Sequence, residues 1–141
     1  MYLIDTNIIS EARKGRIANA GVRAFFADAN ANGTPVFLSV ITVGELRRGV
    51  ELIRHRGDML QARRLENWLG SIVANFSSRI LDVDADVAQL WGRLCVPHGE
   101  NAIDKLIAAT ALIHDLTVVT RNRRHFVATG VPVLDPFASS T

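Results

Sequence analysis

The chain has 141 residues, 48% of them hydrophobic and 21% charged, with a formal net charge of +2. That composition supports a core for one compact domain, taken as residues 1–141, and leaves too little length for a second. The single cysteine, Cys95, excludes an internal disulfide, and its setting between Leu94 and Val96 reads as a small core residue.

The apolar runs are broken by charge or glycine well before the roughly 18 residues of a membrane-spanning segment, so no membrane association is expected. The opening Met1-Tyr2-Leu3-Ile4-Asp5 has neither a basic region nor a cleavage site, and the cytoplasm is the expected compartment. The cations are mostly Arg, which suits planar contact with phosphate or carboxylate and equally suits an ordinary solvated surface.

Tyr2 to Ile4 reads as a buried first strand that meets the polar cluster Asp5-Thr6-Asn7 and feeds a helix. Residues 17–30 read as a helix closed by the turn Asn32-Gly33-Thr34-Pro35. Val36-Phe37-Leu38 is a second strand, and a helix from about Thr42 to His55 follows until Gly57-Asp58. The next helix carries the clearest period: Leu65, Trp68, Leu69, Ile72, Val73 and Phe76 form one stripe, suited to core or to a partner surface. Asp58 is its expected N-cap.

Arg79 to Leu81 is a short strand. Asp84 caps a helix with Val87, Ala88, Trp91, Leu94 and Cys95 on one face, ended by Pro97-His98-Gly99. Residues 102–114 form the most apolar helix, Thr117 to Val119 a strand, and Val133-Leu134 the last strand, closed by Asp135-Pro136. Only Ala138-Ser139-Ser140-Thr141 reads as a tail. Strands alternating with helices imply a parallel sheet covered on both faces.

In such sheets the working crevice lies beyond the carboxyl ends of the strands. Asp5 closes the first strand there, Ser39 the second, and Thr120, Arg121 and Asn122 follow the strand at 117–119. Glu45 lies one turn into the helix after the second strand. Asp104 lies in the first turn of the apolar helix, where an acid among Ile103, Leu106, Ile107, Ala108 and Ala111 is costly to bury without a partner.

Each acid has a plainer reading on its own. Asp5 is a good N-cap, Glu45 could pair with Arg48, and Asp104 could complement a helix dipole. Their joint placement at one sheet edge favours a divalent cation, because clustered carboxylates repel without one and Mg2+ or Mn2+ takes oxygen ligands. Phosphate-cradling glycine loops, His-Glu-x-x-His and a nucleophile elbow are absent from the sequence, and the four histidines are scattered along it.

Four segments carry a family resemblance: Tyr2-Leu3-Ile4-Asp5-Thr6-Asn7-Ile8-Ile9-Ser10; Leu38 to Gly49 around Glu45; Asp104-Lys105-Leu106-Ile107-Ala108-Ala109-Thr110-Ala111; and Val118-Val119-Thr120-Arg121-Asn122 with His125-Phe126. In this order they resemble PIN-domain ribonuclease toxins of the VapC and FitB type. The resemblance implies a three-layer α/β/α PIN-like domain with a central parallel sheet, and Mg2+- or Mn2+-dependent endoribonuclease activity on an RNA substrate. It also implies a homodimer and a small cognate antitoxin, with promoter DNA bound only through that antitoxin.

By match, Asp5, Glu45 and Asp104 fall on the family's acidic triad as catalytic and metal-holding residues. Thr6, Asn7, Ser39, Thr120 and Asn122 are candidates to position phosphate or water, and Arg47 and Arg121 to contact RNA phosphates. At the fourth acidic position this chain offers Asn122 or His125 where relatives carry Asp, so one metal on three carboxylates is the expected arrangement. The alternative is a catalytically degenerate protein that acts by binding an antitoxin and promoter DNA. A phosphoacceptor receiver domain fits poorly, since the first strand ends in one Asp rather than an acidic pair.

Overall fold

The computed structural model describes residues 1–137, so the expected tail at 138–141 lies outside the described residues. Five parallel strands form one sheet: β1 (Tyr2–Ile4), β2 (Val36–Ser39), β3 (Ile80–Leu81), β4 (Thr117–Val119) and β5 (Val133–Leu134), in the spatial order β3-β2-β1-β4-β5. The helices are α1 (Thr6–Ala12), α2 (Ala20–Ala31), α3 (Val40–His55), α4 (Met59–Asn75), α5 (Ala85–Leu94) and α6 (Ala102–Ile113). No described helix is long and apolar enough to cross a membrane.

Alternation along the strands divides the core into two layers. Ile4, Leu38 and Val119 face one cluster, shared with Ile8 and Ile9 of α1, Val22 and Phe25 of α2, Leu46 and Val50 of α3, and Leu69 and Ile72 of α4. Leu3 and Val118 face the other, which holds Ile107, Ala108 and Ala111 of α6, with Phe37, Leu81 and Leu94 packed against it. The result is the expected three-layer α/β/α arrangement. The α4 stripe is core: Leu69 and Ile72 are buried, Leu65, Trp68 and Phe76 pack on them, and only Val73 turns outward.

Some boundaries move for local reasons. The helix expected at 17–30 begins at Ala20, because Asn19 Oδ1 accepts from the Gly21 and Val22 amides and the stretch before it, Gly15–Ile17, is a 3-10 turn. Gly21 has no room for a side chain; a Cβ there would stand 2.0 Å from the Pro136 carbonyl oxygen. The helix expected from Thr42 begins at Val40, since Ser39 Oγ accepts from the Ile41 amide. Asp58 and Asp84 cap α4 and α5 as expected. On α5, Ala88 is exposed rather than part of the buried face, and Cys95 is half-buried at the helix end instead of in the core.

The chain leaves β1 toward β2 and β3 and returns to the opposite side of β1 with β4 and β5. The direction of winding therefore reverses between β1 and β4, which is where open α/β sheets leave a crevice at the carboxyl ends of their strands. Asp5 N bonds to the Val119 carbonyl at 2.9 Å across that seam.

Candidate active site

Asp5 is the residue at which β1 becomes α1. Its extended backbone makes it the N-cap, and Oδ1 accepts from the Thr6 amide at 2.8 Å. Capping uses one oxygen. The other, Oδ2, accepts from Thr120 Oγ1 at 2.9 Å and from Asn7 Nδ2 at 3.2 Å. Asn7 also reaches Thr120 Oγ1 at 3.3 Å, and its Oδ1 accepts from the Arg121 amide at 3.1 Å. The Asn122 amide donates to Thr120 Oγ1 at 3.0 Å. The polar ends of β1 and β4 are thus laced together.

Glu45 joins from α3, where Thr6 Oγ1 donates to Oε1 at 2.6 Å and also lies 3.5 Å from buried Thr42 Oγ1. The structure pairs Glu45 with Thr6, not with Arg48. Asp104 comes from the first turn of α6, after Asn101 turns the chain in the left-handed region at φ 56°. Its side chain is 20% exposed, so it is less buried than its apolar neighbours suggest, and its partner is His125 Nδ1 at 2.7 Å from Oδ2. The adjacent Lys105 turns away, to the His98 carbonyl.

Asp5 is only 3% exposed. Burial pushes its carboxyl up from 3.8 to about 6, against the hydrogen bonds from Thr120 and the Thr6 amide and with the negative charges of Asp104 and Glu45. Among the described residues, neither Asp5 nor Glu45 has a Lys, Arg or His within ion-pair distance. A buried acid held by neutral donors, in the field of two others, is a common mark of a functional site.

The remaining candidates divide. Ser39 is fully buried and spends its hydroxyl on the α3 cap. The side chains of Asn122 and Arg121 lie on the exposed rim, and the Arg121 guanidinium sits 4.5 Å over the Phe137 ring. Arg47 stands apart from the cluster, bonded to Glu51 and Glu66 on the outer face of α3 and α4. A groove of about 370 Å³ leads from Thr6 and Glu45 between α1, α3 and α4, past Ser10, Arg13, Leu46 and Trp68. Two residues were not singled out for the contacts they make: Thr42, hidden in a helical turn, and His125, whose signal was its place directly before the fully buried Phe126.

Among the described residues no three His, Cys, Asp or Glu side chains converge as a ready-made ligand set. The donor chemistry nevertheless fits a hard cation: Asp5, Glu45 and Asp104 bring only oxygens, and after burial, the main cause, the charges of Asp104 and Glu45 add to the rise at Asp5.

The chain matches the PIN domain over residues 2–131. It is 38% identical to Toxin FitB of Neisseria gonorrhoeae (strain ATCC 700825 / FA 1090), covering 97% of this chain and 99% of that protein. It is 32% identical to VapC ribonuclease Y4jK of Sinorhizobium fredii (strain NBRC 101917 / NGR234), covering 97% and 98%. The crystal structure of FitAcB from Neisseria gonorrhoeae superposes with a TM-score of 0.80 at 37% identity, over 97% of this chain and 99% of that one. A buried, cross-linked acid at the winding reversal of a five-stranded parallel sheet, together with this match, places the chain in the PIN-domain family.

Proposed function

We propose that this protein is a Mg2+- or Mn2+-dependent endoribonuclease and the toxin of a VapBC-like toxin–antitoxin pair, acting in the cytoplasm. The observation that carries the reading is Asp5: a buried carboxyl at the crevice, pushed up to about 6 by burial and by two neighbouring acids, with no cationic side chain among the described residues to neutralise it. The similarity to a protein named a VapC ribonuclease points the chemistry toward RNA.

Asp5, Glu45 and Asp104 would hold the cation. A bound divalent ion lowers the pKa of water and neutralises charge on a phosphodiester. The chain's own residues supply the order. Thr120, Asn7 and the Thr6 amide fix both oxygens of Asp5. Thr6 Oγ1 orients Glu45 for the ion or for the attacking water. Thr120 and Asn7 bind each other and Asp5, so phosphate contact would come from the rim around them. Arg121 is an exposed residue on that rim, and its guanidinium, stacked over the Phe137 ring, has the planar donors suited to a phosphate.

The protein would act as a homodimer restrained by a small antitoxin, with promoter DNA reached only through the antitoxin. The groove beginning at Thr6 and Glu45 is the surface nearest the carboxylates on which such a partner would seat. A second reading, a binding protein with a degenerate site, is favoured by the absence of a ready-made ligand set and by the histidine that occupies Asp104. Mapping cuts in total cellular RNA with and without chelator, wild type against Asp104→Asn, decides between them. Chelator-sensitive cuts absent from the variant support the nuclease; no metal-dependent cuts in the wild type support the degenerate reading.

A further inference from the structure

The contact between His125 and Asp104 is built rather than incidental. Phe126 is fully buried, and it anchors the 3-10 turn Arg123–His125, closed by His125 N to the Asn122 carbonyl at 2.9 Å and Phe126 N to the Arg123 carbonyl at 3.0 Å. The anchored turn sets the ring against α6, with Nδ1 2.7 Å from Asp104 Oδ2. Ring and carboxylate are only partly exposed, at 34% and 20%. A carboxylate only accepts, so Nδ1 carries the hydrogen, and that hydrogen points at the oxygen.

Two consequences follow for a cation. The first is order: with Oδ2 held, Asp104 presents its other oxygen from one fixed carboxylate, as hydrogen-bonded ligands do elsewhere. The second is number. A second ion beside the first would need further negative oxygen at Asp104, and the side chain set against Asp104 is the His125 ring. An N–H directed at Oδ2 makes that oxygen unwelcoming to a cation. Asp5 cannot substitute, because its Oδ2 already takes two donors and its Oδ1 one, leaving about one of its four lone pairs.

We propose that His125 is a positioning residue that fixes Asp104 through Oδ2 and thereby limits the site to one divalent cation. The proposal rests on the metal-dependent reading above and goes beyond it by naming what sets the stoichiometry.

The test is Mn2+ binding by the purified full chain, followed by the paramagnetic resonance of free Mn2+, for wild type, His125→Asn, His125→Ala and His125→Asp. Wild type binds one ion. His125→Asn keeps an N–H near the place of Nδ1 and binds one ion with affinity close to wild type. His125→Ala binds one ion about 10-fold more weakly, the low end for losing a partner of a metal ligand. His125→Asp, which exchanges the N–H for carboxylate oxygen, binds a second.

Two ions in the wild type, an alanine variant as tight as wild type, or a single ion in His125→Asp would each overturn the proposal. Circular dichroism accompanies each variant. If the alanine variant is unfolded, the stoichiometry of the Asp variant and the retained affinity of the Asn variant decide. If wild type binds no more Mn2+ than Asp5→Asn, the metal-dependent reading itself fails; if wild type binds and the His125 variants match it, only this inference fails.

Discussion

On the outer face of α3 and α4, Glu51 and Glu66 are each held by Arg47 and Arg54 in an exposed lattice. The arginine hydrogen bonds keep both carboxyls below their ordinary value, Arg54 acting most on Glu51 and Arg47 most on Glu66. At the carboxyl edge of the sheet the construction is reversed. Asp5 is buried, is held by an amide, a hydroxyl and a carboxamide, and is pushed up to about 6 with Asp104 and Glu45 adding to the displacement. The two outer acids receive their cations from the fold. Asp5 and Glu45 at the edge accept from neutral donors and, among the described residues, have no Lys, Arg or His within ion-pair distance, an arrangement suited to a cation from solution.

The sharpest way to break this comparison is to remove charge at the edge. Asp5→Asn or Asp104→Asn is expected to abolish metal-dependent RNA cleavage, a loss of at least about 10²–10³-fold if each acts as one preorganised electrostatic group, while circular dichroism stays that of the folded chain. Single-turnover cleavage with Mg2+ or Mn2+ measures it. Full activity in either variant would reduce the edge acids to the same structural standing as the outer lattice.

The next effect is in stability. Between 3.8 and about 6 the folded chain keeps a proton on Asp5 that the unfolded chain has released. Stability without metal therefore falls as pH rises through that window and flattens above it, by on the order of 3 kcal/mol at most from this group. Asp5→Asn removes that fall, and saturating Mg2+ at neutral pH opposes it by mass action. Urea unfolding across pH 4 to 7 reads the slope; an Asp5-dependent rise over the window would contradict the assignment.

Much of this contrast was open to reading because it is local. An apolar run that meets Asp5-Thr6-Asn7 marks a strand ending at a capped helix, and Asp58 and Asp84 announce α4 and α5 in the same way. The three-and-four spacing of Leu65, Leu69 and Ile72 gave the face of α4. What resisted were contacts between distant segments. Arg47 looked available for RNA phosphate, yet one of its glutamate partners, Glu66, belongs to another helix and enters no local window. His125 reads in the sequence as standing in for a fourth acid, and its hydrogen bond to Asp104, 21 residues earlier, depends on the 3-10 turn before Phe126. The start of α2 was misplaced by three residues because Asn19, not the apolar pattern, sets it.

A smaller effect probes how the edge is ordered without cations. Thr6→Val removes the hydroxyl that holds Glu45 Oε1 at 2.6 Å. The expected cost is about 1 kcal/mol in a thermal or urea melt, with cleavage slowed about 10-fold as Glu45 loses its orientation. Thr6→Ser restores both. If Thr6→Val leaves cleavage unchanged, Glu45 is oriented by something other than this hydroxyl.

The smallest effect belongs to the outer lattice. Glu66→Gln removes the carboxylate shared by Arg47 and Arg54, but both arginines keep Glu51 as a partner and all four side chains are open to water. Exposed pairs are screened, and their worth is offset by the ordering of long side chains. Glu66→Gln should therefore melt close to wild type, any difference shrinking further in high salt, and should cleave RNA at the wild-type rate. A variant that melts normally yet loses RNA binding would show that the lattice holds the arginines for a ligand. A variant that cleaves and melts normally leaves the outer lattice a screened surface feature of small worth and keeps the proposed chemistry at the sheet edge.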